Sequence, residues 1–327
     1  MQKKIIFLLV IASILNHNLF SQAVPSSEEN IPYLVTFGNN SKTSWGDDDF
    51  AQTFFFIIPK DMKKPIFLRV FDPETGGTID EIKELPDTKT TISIYGGQGA
   101  YTHLDAQKEQ PIGNFKSGIE LAKKTFSNQP EYNEQWYTFG PFNPTEGELV
   151  NELGGYVIKV IIQGISGNDG NLYKLFLSQE QNSNIKVEGA NSLTYEYTFR
   201  LNDKPGSISH IYPFINEDVV SIKIHTFDYD NDGIARIISV DKRYEPVQVS
   251  GDNEWMASLH KISDKEHRTS LDIQMIKTNP INDNNIVFYI TNQYDKLLPF
   301  YTSPLGGAPK YKPTIGVKPG LKSTQQK

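Results

Sequence analysis

Apolar and polar positions alternate with a period of two through most of this chain, in short runs rich in β-branched and aromatic residues. Before residue 180 the runs cover 33–37, 52–58, 66–71, 91–95, 135–139, 156–163 and 172–177; after it they cover 194–200, 211–215, 219–227, 234–240, 255–262, 271–276 and 286–291. Such alternation places successive side chains on opposite faces of a pleat, so each run predicts a strand with one buried face. Turn-forming clusters separate them, among them Gly38-Asn39-Asn40-Ser41, Pro73-Glu74-Thr75-Gly76-Gly77, Gly96-Gly97-Gln98-Gly99 and Gly167-Asn168-Asp169-Gly170. Only Gly118–Phe126 competes as a helix, because Ile119, Ala122 and Phe126 fall near one helical face.

Strands recurring without intervening long helices predict an all-β protein of antiparallel sheets packed face to face, rather than a parallel α/β core. No fixed-period repeat points to a solenoid or propeller. The polar stretch Ser178–Asn184 divides the runs into two tandem jelly-roll-like β-sandwiches, 22–184 and 185–307. Residues 308–327 carry five lysines and three prolines with no acid, and read as an extended basic tail.

Residues 1–21 begin with Lys3 and Lys4, continue through the apolar run Ile5–Leu15, and end at Ser21. As a helix that run rises only about 16 Å, short of a hydrocarbon core of about 30 Å, so it predicts a cleaved secretory signal peptide. No later segment offers the apolar length of a transmembrane helix, and the mature chain is expected in the periplasm, at the cell surface or outside the cell.

Composition narrows the chemistry. Of 327 residues, 38% are hydrophobic and 35 are Phe or Tyr, enough to build large cores. The absence of cysteine closes disulfide frameworks, thiolate metal sites and cysteine nucleophiles. A formal charge of −7, about −9 without Lys3 and Lys4, argues against nucleic acid as a partner.

The strongest short motif is Asp228-Tyr229-Asp230-Asn231-Asp232-Gly233, with oxygen ligands at alternate positions and a glycine at the sixth. That spacing suits a loop wrapped round calcium, although the twelfth position is Ser239 rather than a bidentate Glu and the flanks read as strands. A metal-free acidic hairpin turn is the alternative. A second acidic set comprises Asp47, Asp48 and Asp49, followed by Asp72, Asp80, Glu81 and Asp169; Asp47 and Asp49 are its candidate metal ligands if these loops converge. No nucleophile elbow, zincin, phosphate-loop or dinucleotide signature is present, and His103, His210, His225, His260 and His267 show no metal-ligand spacing. A glycosidic carboxylate pair would leave no motif, because it meets only in the fold. Trp45, Tyr101, Trp136 and Trp255 sit beside polar, loop-like sequence and are candidate sugar-stacking rings, with core packing as the other reading.

The strings Val35–Asn40, Ser44–Asp49, Gln52–Phe56, Phe71-Asp72-Pro73, Tyr95-Gly96-Gly97, Gln135–Pro144, His210–Phe214 and Phe300–Pro304 resemble exported envelope proteins of Bacteroidota-type bacteria, over about residues 31–315. Some of those continue into an OmpA-like peptidoglycan-binding module, which is absent from this sequence. The first block is more faintly similar to a pre-peptidase C-terminal domain, through the strand at Gly154–Val160. Neither resemblance implies catalytic residues. The expectation is a non-catalytic exported protein that binds a glycan or another envelope protein, with structural calcium. The alternatives are a carbohydrate-active hydrolase with dispersed carboxylates and a structural spacer.

Overall fold

The computed structural model describes residues 22–280, 284–307 and 309–312. The expected leader, 1–21, and most of the basic tail lie outside the described residues.

In the first half of the chain the strands are β1 (Ala23–Val24), β2 (Tyr33–Phe37), β3 (Ala51–Pro59), β4 (Ile66–Phe71), β5 (Lys89–Gly96), β6 (Ile119–Phe126), β7 (Trp136–Phe142), β8 (Glu148–Val150), β9 (Gly155–Ser166) and β10 (Gly170–Ser178). In the second they are β11 (Asn191–Thr194), β12 (Glu196–Arg200), β13 (Ile208–Ile215), β14 (Ser221–Phe227), β15 (Gly233–Ile238), β16 (Glu245–Val247), β17 (Trp255–Lys261), β18 (Thr269–Ser270), β19 (Asp272–Lys277), β20 (Asn285–Asn292) and β21 (Phe300–Tyr301). The runs with period-two alternation coincide with these strands to within a few residues. Helical structure among the described residues is confined to short 3-10 turns, and none is long and apolar enough to cross a membrane.

The segment expected to compete as a helix, Gly118–Phe126, is the edge strand β6. It pairs only with β5, and a register shift between Ile94 and Tyr95 interrupts the ladder. With one side unpaired and Ile119 64% exposed, β6 lacks the clean alternation of a half-buried strand, so its apolar spacing imitates a helix.

Two antiparallel sheets face one another. One runs β17-β14-β20-β12-β2-β10-β4-β7, with β1 also on β10; the other runs β16-β15-β19-β13-β21-β11-β3-β9-β5-β6, with β18 on β13 and β8 on β9. Each sheet is assembled from both halves of the chain. The seams are β12 on β2, where Phe199 faces Leu34 and Arg200 faces Tyr33, and β11 on β3, where Asn191, Ser192 and Leu193 face Ile57, Phe56 and Phe55. The tandem sandwiches are thus fused side by side.

One apolar cluster runs through both halves and joins Leu34, Phe54, Phe56 and Leu175 to Tyr197, Phe199, Ile224, Phe288 and Phe300. The central residue of Phe54-Phe55-Phe56 points the other way, into a second cluster with Leu193, Tyr195 and Tyr101. Burying each such side chain is worth about 1.5–3 kcal/mol. At Tyr195 the chain crosses from the second sheet to the first. Thr194 holds this corner, its hydroxyl 2.7 Å from Thr53 O and 2.8 Å from Glu196 O. The corner sets Glu196 as the first residue of β12.

Candidate functional site

Three segments meet at the seam. The first is the loop 43–50, which lies against β20. Gly46 has φ +96°, and a Cβ there would meet Asn285 O at 2.6 Å, so only glycine allows this approach. The Asp47 carboxyl then accepts the N–H groups of Phe37 (3.0 Å), Phe50 (2.7 Å) and Asp49 (3.3 Å), which fixes the turn. Burial nevertheless pushes Asp47 up to about 7. Asp49 gives one oxygen to Ala51 N–H at 2.9 Å; its other oxygen is buried without a partner.

The second segment carries Glu109 and Gln110. Its base is tied down by Glu148, which accepts Gly99 N–H (3.0 Å) and Thr102 N–H (3.0 Å). The buried Lys159 ammonium donates to Phe115 O (2.6 Å) and Ser117 O (2.8 Å), and burial pulls that lysine down to about 8. Gln110 reaches the Asp48 carboxyl at 3.4 Å.

The third segment is the outward face of β12, β20, β14 and β17. Register sets Glu196 opposite Tyr289 and Tyr289 opposite His225, so the three side chains share a face. The His225 and Tyr289 rings stack at 4.3 Å with 12° between planes, and Trp255 lies 5.4 Å from Tyr289. Burial, then Lys223, holds the His225 imidazole below its usual range.

Together Asp48, Glu109, Gln110, Glu196, Trp255 and Tyr289 line a cleft of about 220 Å³. Drug-sized pockets span roughly 300–1,000 Å³, so this cleft admits one ring and leaves the rest of a ligand across the surface. A recess of about 10 Å³, the size of one water, adjoins Glu196 and Glu109. Glu196 is only 7% exposed, and no donor reaches its Oε1. Its carboxyl is held well above the ordinary range, first by burial and then by Asp49, Asp48, Asp47 and Glu109. Asp48 is raised by burial too, against the lowering effect of Gln110.

Of the aromatic residues expected to bind ligand, Trp255 lines this cleft and is 43% exposed. Trp45 packs on Phe37 at 6.1 Å, with the Lys83 ammonium 4.3 Å from its ring. Tyr101 lies in the second apolar cluster, 5.1 Å from Phe55, and its hydroxyl meets that of Tyr195 at 3.1 Å. Trp136 stands at the far edge of its sheet, between Phe71 (5.4 Å) and the Arg69 guanidinium (5.0 Å).

The acidic residues divide similarly. Asp47, Asp48 and Asp49 bring carboxylate oxygens within 4.8 Å of one another, as do Asp228, Asp230 and Asp252. Asp232 belongs to neither group: it turns inward to the buried Lys277 ammonium and accepts Asn284 Nδ2 at 3.0 Å. Asp228, Asp230 and Asn231 have positive φ, so the motif forms a tight turn that carries the chain from β14 in one sheet to β15 in the other, rather than a hairpin or a helix-flanked loop. Asp169 stays with its own loop, accepting Lys83 N–H at 2.9 Å and the Thr88 hydroxyl at 3.0 Å. Glu81 pairs with Arg200 at 2.5 Å.

Glu196, Glu109 and Tyr289 were not singled out in the sequence. Glu196 reads there as one polar position in an alternating strand, and its neighbours Asp48 and Asp49 lie almost 150 residues earlier.

No family profile matches the chain, and no curated protein matches it. Solved structures that align with it include the N-terminal CBM22-1-CBM22-2 tandem domain from Paenibacillus barcinonensis Xyn10C, at 11% identity, covering 73% of this chain and 79% of that one with a TM-score of 0.15. A likeness that slight carries no argument about function.

Proposed function

We propose that the protein is an exported glycan hydrolase whose reacting groups are Glu196 and Asp48. One observation carries this reading: Glu196 is a buried carboxyl without a counter-ion, facing other acids in a cleft walled by Trp255 and Tyr289. Ionising such a group away from water and beside like charges is costly, so the Glu196 carboxyl is held well above the ordinary range and favours its protonated form. A protonated acid beside a more exposed carboxylate is the arrangement that cleaves glycosidic bonds. Glu196 delivers its proton to the leaving oxygen as the glycosidic C–O bond breaks, Asp48 stabilises the positive charge that develops on the sugar ring, and water adds to that carbon and returns a proton to Glu196. Trp255 and Tyr289 offer faces to the apolar side of the sugar. The leader-like residues 1–21 support an exported setting, where such substrates are found.

The test is release of reducing ends from a panel of glycans and glycoproteins. Glu196→Gln and Asp48→Asn should each lower turnover by about 10²–10⁴-fold with Trp255-dependent binding retained. Absence of turnover in the unaltered protein across the panel would sink the hydrolase. The close approach of Asp47, Asp48 and Asp49 favours a second reading, a non-catalytic glycan binder with calcium in the cleft. It expects binding without turnover, and loss of binding on chelation.

A further inference from the structure

Away from the cleft, at one end of the first half, three buried oxygens have no partner: Asp72 Oδ2, Thr75 Oγ1 and Asn171 Oδ1. Their residues are 0%, 0% and 1% exposed. Asp72 follows β4, and β10 pairs Lys174 with Phe71. Asp72 leaves the strand with φ +51°, its N–H bonded to Gln135 O at 2.9 Å and its Oδ1 accepting Glu134 N–H at 2.9 Å, while Asn171 stands on β10 opposite Thr36. The loop from Asp72 is stitched to β10 at both ends. Asn171 Nδ2 donates to Pro73 O at 2.9 Å, which leaves the other end of that amide beside the loop. Asp80 accepts Leu172 N–H at 2.9 Å and closes the loop by accepting Gly76 N–H (2.9 Å) and Gly77 N–H (3.1 Å).

The charges around Asp72 and Asp80 are negative. Asp72 feels Glu74 and Glu134, and Asp80 feels Asp72. Each unpaired buried acceptor costs roughly 1–3 kcal/mol, and three together call for one positively charged partner. The donor set is oxygen only, without histidine or thiolate, which excludes soft-metal preference; carboxylate, amide and hydroxyl oxygens from an irregular loop and a strand suit calcium rather than the rigid octahedron of magnesium.

We propose that Asp72, Thr75 and Asn171 hold a calcium ion that fastens the 72–80 loop to β10, with Asp80 as the supporting carboxylate. This site is independent of the cleft chemistry.

The test uses the full chain, stripped with chelator, and terbium luminescence excited through tyrosine. Tyr33 lies within the field of Asp72 and is the expected sensitiser. Calcium should compete the signal away and raise the melting midpoint by several degrees. Asp72→Asn and Asn171→Leu should weaken terbium binding at least tenfold and abolish the calcium-dependent rise, whereas Asp61→Asn and Asp264→Asn, exposed and outside the acidic groups, leave both intact. Because Asp72→Asn keeps shape while removing an uncompensated charge, its chelated form should melt no lower than the chelated parent, which separates lost binding from misfolding. Full calcium binding in Asp72→Asn, or no calcium-dependent rise in the parent, would overturn the site; water would then satisfy the three oxygens.

Discussion

The turn at Asp232 and the cleft at Glu196 each bury a carboxyl group and treat it in opposite ways. Asp232 is met by the Lys277 ammonium and the Asn284 amide, all inside the second half. Glu266 is met likewise by Lys242 at 2.6 Å. Glu196 has no lysine or arginine partner among the described residues, and the charges it feels are those of Asp49, Asp48, Asp47 and Glu109. Asp232 and Glu266 are compensated by lysine, whereas Glu196 is left uncompensated at a surface cleft. Paired groups of this kind keep the fold in one arrangement, while an unpaired one keeps its proton for use.

The largest effect should come from breaking a paired corner. Lys277→Ala strands Asp232 without its cation and should cost about 3–5 kcal/mol, read as a lowered denaturant midpoint. Glu196→Gln should do the reverse: turnover falls, but the midpoint stays, since an isosteric amide is neutral like the protonated acid it replaces. A midpoint drop comparable to that of Lys277→Ala would show Glu196 to be structural.

pH offers the next contrast. Burial pushes Asp47, Asp72, Asp80 and Asp228 up to about 7 from the usual 3.8. Their folded pKa values exceed the unfolded ones, so between about pH 4 and pH 7 the folded chain binds more protons than the unfolded chain. Stability from these groups is present at the acid end and lost as pH rises through 7. Calorimetry in chelator should give a midpoint several degrees higher at pH 5.5 than at pH 8, and calcium should narrow the gap. A midpoint that climbs with pH would mean that burial does not govern these carboxyls.

Smaller effects separate the aromatic residues. Trp255→Ala should weaken glycan binding about 5–10-fold with little change in stability, consistent with a stacking contribution of roughly 0.5–1.5 kcal/mol. Tyr101→Phe removes only the hydroxyl contact with Tyr195, and should cost about 1 kcal/mol of stability while leaving binding untouched.

The sequence pattern located the strands because period-two alternation is a local property, as Tyr33–Phe37 and Ile66–Phe71 show by matching β2 and β4 residue for residue. It misled at β6, where an edge strand with a bulge has no single buried face. Trp255 and Asp47–Asp49 were recognisable as chemistry-bearing residues, yet their convergence with Glu196 depends on which strands cross the seam. Nothing local encodes that. The motif at Asp228–Gly233 invited a metal reading of Asp232, but Lys277, which claims that carboxylate, arrives from β19 more than forty residues later. Asn171 and Thr75 carry no charge and stand in no motif, so only their buried, unanswered oxygens draw attention to them.

The hydrogen-bonded rungs from β12 to β2 and from β11 to β3 also bear on how the molecule can be cut or flexed. Dividing the chain near residue 184 would lay bare four raw strand edges, two on each fragment, each a template for pairing with another copy. Either half produced alone would therefore tend to aggregate, and the intact chain should open as one cooperative body rather than swing about a joint.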